Sequence, residues 1–402
     1  MTRGLRILAA ALCLAGCSSA PAGEPSGPPT SFPGHHRSVN PWTDSDLSAA
    51  VGAPAAVPGS LAGYAFDAGQ SQHLYFAAAP DGHLREIWWD YEGWHTVDLT
   101  AATGAAEADP GSVAAYASEA ANTQHVVYVG AEDRHVHQLW WNAQGWHTED
   151  LSAISGAPPA TSTVTGYSVD SPLGEHVIYL RRPDRHVQEI WWDGRTWHTQ
   201  DLSAATGAPA ALDGALLGYV DEAQAIQHVV YAGVGSHLYE LWCDDKGWHM
   251  TDLTVVVGAP GPIARTVAGY MFAAQGTQHV FYVGVDNKIY ELWSDPTGWH
   301  ASDLTTMTGA PAPAGTAMAA YAFEAQGTQH VIYAGADGQL YELWWESGRW
   351  NVGSLTAGVE APRSAKDRPV AYAFEGQGTQ HVIYRTADDS HLHELWSGNP
   401  RG

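Results

Sequence analysis

GTQHVIYAGADGQLYELWWESGRW, residues 327 to 350, recurs in variant form from one end of the chain to the other. Val331 to Tyr333 is β-branched and aromatic, Asp337-Gly338 supplies a tight hairpin turn, and Leu340 to Trp345 carries a returning strand before Gly348 turns the chain again. A unit of two or three strands cannot bury both of its faces, so the copies must stack on one another to make a core.

The spacing sets the count. The histidine of the Gln-His or Glu-His pair falls at His73, His125, His176, His228, His279, His330 and His381, a step of 51 or 52 residues each time. A tyrosine nine residues earlier keeps the same step, at Tyr64, Tyr116, Tyr167, Tyr219, Tyr270, Tyr321 and Tyr372. Seven copies of four short strand signals, at a period near 50, predict an all-β, seven-bladed β-propeller of four-stranded blades. Trp42 to Leu47 matches only the fourth strand of a repeat, as in Trp94 to Leu99, while the last repeat ends after its third strand, His391 to Trp396. The N-terminal strand is therefore expected to complete the C-terminal blade and close the ring, giving one domain over residues 42–402.

Upstream of Trp42 the composition changes twice. Arg3 and Arg6 precede an apolar run from Ile7 to Gly16 that is too short to span a bilayer, so residues 1–16 read as a secretory signal peptide. Leu14-Ala15-Gly16-Cys17 resembles a bacterial lipobox, which implies cleavage before Cys17 and lipid attachment to it. Residues 17–41, rich in Ser, Pro, Gly and Ala, then form a flexible tether with a reach of roughly 25 to 30 Å. His35-His36 within it reads as solvated spacer. The expected place is the outer face of the bacterial cytoplasmic membrane or the cell envelope, held by lipid without a spanning helix.

Composition narrows the partners. Lys and Arg number 18 against 43 Asp and Glu, a formal charge of −25, which repels a phosphate backbone and excludes nucleic acid. Cys243 is the lone cysteine of the mature domain, so no internal disulfide forms, and a monomer held by closure and packing is expected. Tryptophans that bury roughly 150 to 250 Å² each can supply much of that packing. Gly-Ala-Pro joints at Gly207, Gly258 and Gly309 read as connections from one blade to the next. Asp46, Asp98, Asp150, Asp201, Asp252 and Asp303, with Ser354 in the remaining place, read as turn or inter-strand bonds. His, Asp and Glu, including His95, His147, His198, His249 and His300, are too dispersed for a zinc or calcium spacing, so neither metal nor cofactor is expected.

Repeated chemistry must lie in repeated positions. An acid in the third strand followed by tryptophans gives Glu86 with Trp89 and Trp94, Glu189 with Trp192 and Trp197, and Glu342 with Trp345 and Trp350; Gln138 replaces the acid ahead of Trp141 and Trp146. An aromatic face offers a platform to the C–H groups of a sugar and a carboxylate accepts from its hydroxyls, so these twelve residues are the candidate carbohydrate-binding set. Trp88, Trp140, Trp191, Trp242, Trp293, Trp344 and Trp396 occupy one position in every copy and read as core. The next position alternates between Trp89, Trp141, Trp192 and Trp345 and the smaller Cys243, Ser294 and Ser397, which suits a cleft better than a packed interior. The seven strand-two histidines read as a shared structural device, such as a bond to a turn carbonyl.

In Tyr333, Glu342, Trp345 and Trp350 the spacing resembles the repeat of the fucose-specific lectin superfamily of fungi and bacteria, and related units cover residues 42–402. The resemblance implies a lectin-like propeller whose sugar sites lie between adjacent blades, with an acid from one and tryptophans from its neighbour. It also implies an arginine two residues before the strand-two tyrosine. Here that region holds Leu74, Val126, Val177, Val229, Val280, Val331 and Val382. A guanidinium is a major source of hydroxyl recognition, so the resemblance speaks to architecture and leaves the sugar open. Two other uses are weighed: a protein-binding scaffold, because propellers present broad rigid faces, and a polysaccharide-active enzyme, against which stands the lack of any singular acid, base or nucleophile set.

Overall fold

The computed structural model describes residues 42 to 398 without 80, 171–172 and 264–266. The leader of residues 1–16, Cys17 and the tether to residue 41 lie outside the described residues. Seven four-stranded antiparallel sheets follow one another as blades, six of them meanders in chain order. Blade 1 runs Ala62–Phe66, Ser71–Ala77, Leu84–Asp90 and Gly93–Asp98, and blade 4, used below, runs Ala211–Asp221, Ile226–Gly233, His237–Asp244 and Gly247–Asp252. Blade 7 takes three strands from Val370–Phe374, Thr379–Arg385 and Leu392–Gly398, and its fourth from Thr43–Asp46. Thr43 pairs with Trp396 and Asp46 with His393, so the two ends of the chain share one sheet and the ring closes as expected.

A one-turn helix follows the outer strand in six places, where the Gly-Ala-Pro reading anticipated only a loop. Each is capped by the recurring aspartate: Asp46 Oδ1 accepts from Ala49 N at 2.8 Å and Asp98 Oδ1 from Ala101 N at 2.9 Å. The glycine at its end takes a left-handed conformation, φ 67° at Gly52 and 73° at Gly156, which only glycine adopts without strain. The leucine after the cap is fully buried, as at Leu99 and Leu253, pinning the helix to the core. Ser354 stands in place of the aspartate after blade 6, and there the chain makes turns without a helix. The capping carboxylate also meets the head of strand three, His83 Nδ1 lying 2.9 Å from Asp98 Oδ2 and His391 Nδ1 2.9 Å from Asp46 Oδ2. Lys288 takes that histidine's place in blade 5 and donates to Asp303 Oδ2 at 2.7 Å. The rim aspartates are thus bonded by His or Lys side chains of the protein itself.

The blades pack face to face through aliphatic layers, and the positions where the resemblance implies arginine belong to them. Leu74, Val126, Val177, Val229, Val280, Val331 and Val382 are all fully buried. At roughly 25 cal/mol per Å² of apolar surface, layers of this kind stabilise the ring, and Cys243, which is in no disulfide among the described residues, is buried.

Candidate functional site

Strand alternation divides each blade between two faces. In blade 1, Tyr64, His73, Tyr75, Glu86, Trp88 and His95 share one face, and Gln72, Leu74, Ile87, Trp89 and Trp94 the other. The first face looks toward the following blade: Tyr64 OH donates to Gln124 Oε1 of blade 2 at 3.2 Å, and Tyr75 meets Trp146 of blade 2 edge to face. The same tyrosine-to-glutamine bond joins Tyr219 to Gln278 and, across the closure, Tyr372 to Gln72 at 3.0 Å.

This division separates the candidate sets. Glu86 and Trp89 stand three residues apart in one strand, so they point to opposite sides of the sheet, and the same holds for Gln138 and Trp141, Glu189 and Trp192, and Glu342 and Trp345. New sets assemble across the interfaces. By this alternation Glu86 shares an interface with Trp141 and Trp146, Gln138 with Trp192 and Trp197, and Glu394 with Trp89 and Trp94; Trp94 packs against a cluster that includes Tyr372 and Ile383 of blade 7, and Trp197 against one that includes Tyr116 and Val127 of blade 2. The acid of blade 5, Glu291, which the sequence reading did not select, faces Trp345 and Trp350, and Trp350 Nε1 donates to its Oε2 at 3.1 Å. All eight candidate tryptophans are half-buried.

The acids are buried, and their first partner is the strand-two histidine rather than a turn carbonyl. His73 Nδ1 lies 2.8 Å from Glu86 Oε1, His176 2.7 Å from Glu189, His279 2.8 Å from Glu291 and His330 2.6 Å from Glu342. A side-chain hydroxyl two residues before the histidine holds the other ring nitrogen. Ser71 lies 2.7 Å from His73 Nε2, and Thr123, Thr277, Thr328 and Thr379 lie 2.8 Å from theirs. The histidine also lies against the inner-strand tyrosine, nearly parallel in Tyr321 and His330, with centroids 4.7 Å apart.

Blade 2 shows what the interface requires. Gln138 replaces its acid, and Glu175 of blade 3 replaces the glutamine opposite, with Gln138 Nε2 donating to Glu175 Oε2 at 3.0 Å. The carboxylate has crossed the cleft, leaving one on each interface. Burial without a carboxylate on its own blade pushes His125 down to about 3, and burial raises Glu175 above the usual carboxylate range.

The seven tryptophans read as core are half-buried, and five of them, Trp88, Trp140, Trp191, Trp242 and Trp293, stack on outer-strand histidines. Trp140 and His147 lie 4.1 Å apart and Trp242 and His249 4.2 Å, the histidine being held in turn by a hairpin residue, His249 Nε2 to Asp244 Oδ1 at 2.8 Å. One of them, Trp242, lines a cavity instead of a closed interior.

A cavity of about 280 Å³ opens between blades 4 and 5. It is lined by Ile226, His228, Glu240, Trp242 and Thr251 from blade 4, by Gln278 and Trp299 from blade 5, and by Asp221 and Gln224 at the blade 4 hairpin. None of these belongs to the sequence-derived set. The visible signals were Ile226, apolar where five blades carry Ser or Thr, and Ser294, small where four blades carry tryptophan.

Comparison with known proteins now bears on this geometry. A family model described as the fungal fucose-specific lectin matches residues 82–359, more than half of the sequence. The chain belongs to that family. No curated protein matches it. Among solved structures, the BP39L lectin of Burkholderia pseudomallei is similar with a TM-score of 0.65 and 18% identity, over 86% of this chain and 98% of that one. The SapL1 lectin, solved with alpha methyl fucoside, gives 0.52 and 19% over 77% and 98%. The Aleuria aurantia lectin, described as a six-bladed β-propeller, gives 0.50 and 14% over 75% and 96%. At these identities the likeness is one of fold, and this fucose-lectin family member has seven blades.

Proposed function

We propose that this propeller is a carbohydrate-binding protein, not an enzyme, that takes sugars in the clefts between its blades. The observation that carries the reading is the cross-blade pairing of a buried carboxylate with a half-buried tryptophan of the next blade, seen directly in Glu291 and Trp350. An acid accepts from hydroxyls while an indole face packs on C–H groups, and family membership over residues 82–359 supports the same use. The candidates Glu86, Gln138, Glu189, Glu342 and their tryptophans serve in this reading as members of different clefts. Fucosides, bound by solved relatives such as SapL1, are the first sugars to test, although apolar residues occupy the arginine positions. The same proposal anchors the domain as a monomer at the cell envelope through lipid on Cys17; Cys17→Ala should release it from the membrane fraction. Binding of the full-length protein to a glycan array, with tryptophan quenching on titration of any hit, is the expected result. Silence across a broad array from folded protein would overturn it.

A further inference from the structure

The strand-two histidines of blades 1, 2, 5, 6 and 7 hold both ring nitrogens in bonds made by the protein, whereas blades 3 and 4 carry Gly174 and Ile226 in place of the hydroxyl, and blade 4 departs furthest. His228 Nδ1 is bonded to Glu240 Oε1 at 2.8 Å, as in its counterparts. Ile226 stands where those five blades carry the Ser or Thr that reaches Nε2. His228 is 4% exposed, and among the described residues it is the one histidine with a buried ring nitrogen that has no hydrogen-bond partner. That histidine also lines the cavity between blades 4 and 5. A buried polar atom left unpaired destabilises the fold, and such an atom in a cavity wall marks a place for a ligand atom.

We infer that the cleft between blades 4 and 5 is this protein's principal sugar site, and that His228 Nε2 accepts a hydroxyl proton from a neutral sugar ring there. The inference rests on the carbohydrate reading and specifies its site and ligand class. A carboxylate on Nδ1 fixes the proton there, so Nε2 presents a lone pair and calls for a donor. The protein shows the bond it would make: in blade 5, Thr277 Oγ1 sits 2.8 Å from His279 Nε2. In blade 4 a ligand hydroxyl takes the place of that threonine. Glu240 lies beside it as a second acceptor, the Gln278 amide supplies a donor or acceptor, and Trp242 and Trp299 offer apolar faces. Glu240 and Asp221 put carboxylates in the wall, in a chain of formal charge −25, so sialylated and other acidic sugars are disfavoured. The volume, about 280 Å³, lies at the small end for ligand sites and suits one or two rings.

The substitutions that test this differ by one hydroxyl. Ile226→Thr supplies the internal donor found in blades 2, 5, 6 and 7 and should occupy His228; Ile226→Val keeps the branched shape without it. Full-length wild type and both variants, checked for folding by circular dichroism, are applied to an array of neutral glycans, fucosides included, and sialylated glycans. The expected result is neutral-glycan binding by wild type and Ile226→Val, with a loss of about tenfold or more in Ile226→Thr. Equal binding by all three proteins would overturn the assignment to this cleft and leave the carbohydrate reading standing. Preference for sialylated glycans would overturn the neutral class. No binding by folded wild type would overturn both readings together.

Discussion

The cleft between blades 4 and 5 and the one between blades 5 and 6 are cut from the same repeat yet satisfy their polar groups differently. In the second, Thr277 and Glu291 hold the two nitrogens of His279, and Trp350 donates to the remaining oxygen of Glu291. In the first, Ile226 offers His228 nothing, Ser294 replaces the tryptophan found at Trp345, and a cavity opens. The contrast teaches that the His–acid pair is part of the scaffold, and the proposed recognition lies where one blade stops satisfying it internally. A repeat protein can specialise one interface in this way while its neighbours keep the ring together.

The cleft between blades 2 and 3, with its exchanged carboxylate, gives the strongest test of the scaffold side. His125, held at about 3 by burial, stays neutral in the folded state while an unfolded histidine takes up a proton near 6.5. Its contribution to stability is present above about 6.5 and is lost as pH falls toward 3, on the order of 3 kcal/mol by pH 4. Glu175, raised by burial, works the other way, since it favours the folded state as it protonates, and softens the slope. Denaturant melts between pH 7 and 4 should show a net loss of stability that is smaller in His125→Gln. A flat profile would mean that the burial of His125 is relieved in solution.

Exchange of the acids comes next. Gln138→Glu places a second carboxylate beside buried Glu175 and should cost about 3 kcal/mol in urea unfolding; adding Glu175→Gln, which restores the arrangement of the other interfaces, should recover most of it. In the satisfied cleft, Glu291→Gln weakens the bonds to His279 and Trp350 and should cost about 2 kcal/mol. Thr277→Val in the same cleft should cost about 1 to 2 kcal/mol by leaving His279 Nε2 unpaired, which imitates blade 4. The smallest effect has the opposite sign: Ile226→Thr should stabilise by about 1 kcal/mol, as expected where binding is kept at the expense of stability.

The fold was legible because each repeat spells its strands with β-branched and aromatic runs, and because Trp42 to Leu47 and the truncated last repeat complement each other. The short helices were not, since five residues after a capping aspartate carry no periodicity of their own. Site residues were recognised by type but grouped wrongly. Glu342 and Trp350 look like partners along the chain, yet strand alternation sends them to different interfaces, and only the ring's geometry joins Glu291 to Trp350. The proposed cleft was visible only as Ile226 and Ser294, two departures in different repeats, the first lining the cavity and the second paired with Gln278, which also lines it. Reading departures from a repeat, with each blade's forward side set against its neighbour's rear side, would have found both.

Stoichiometry tests the central claim most directly. Native mass spectrometry of the full-length protein with the best neutral glycan from the array should show one tightly bound ligand per chain in wild type and none in Ile226→Thr. Several ligands of equal strength, or one that persists in Ile226→Thr, would contradict a single specialised cleft and return recognition to the repeated positions.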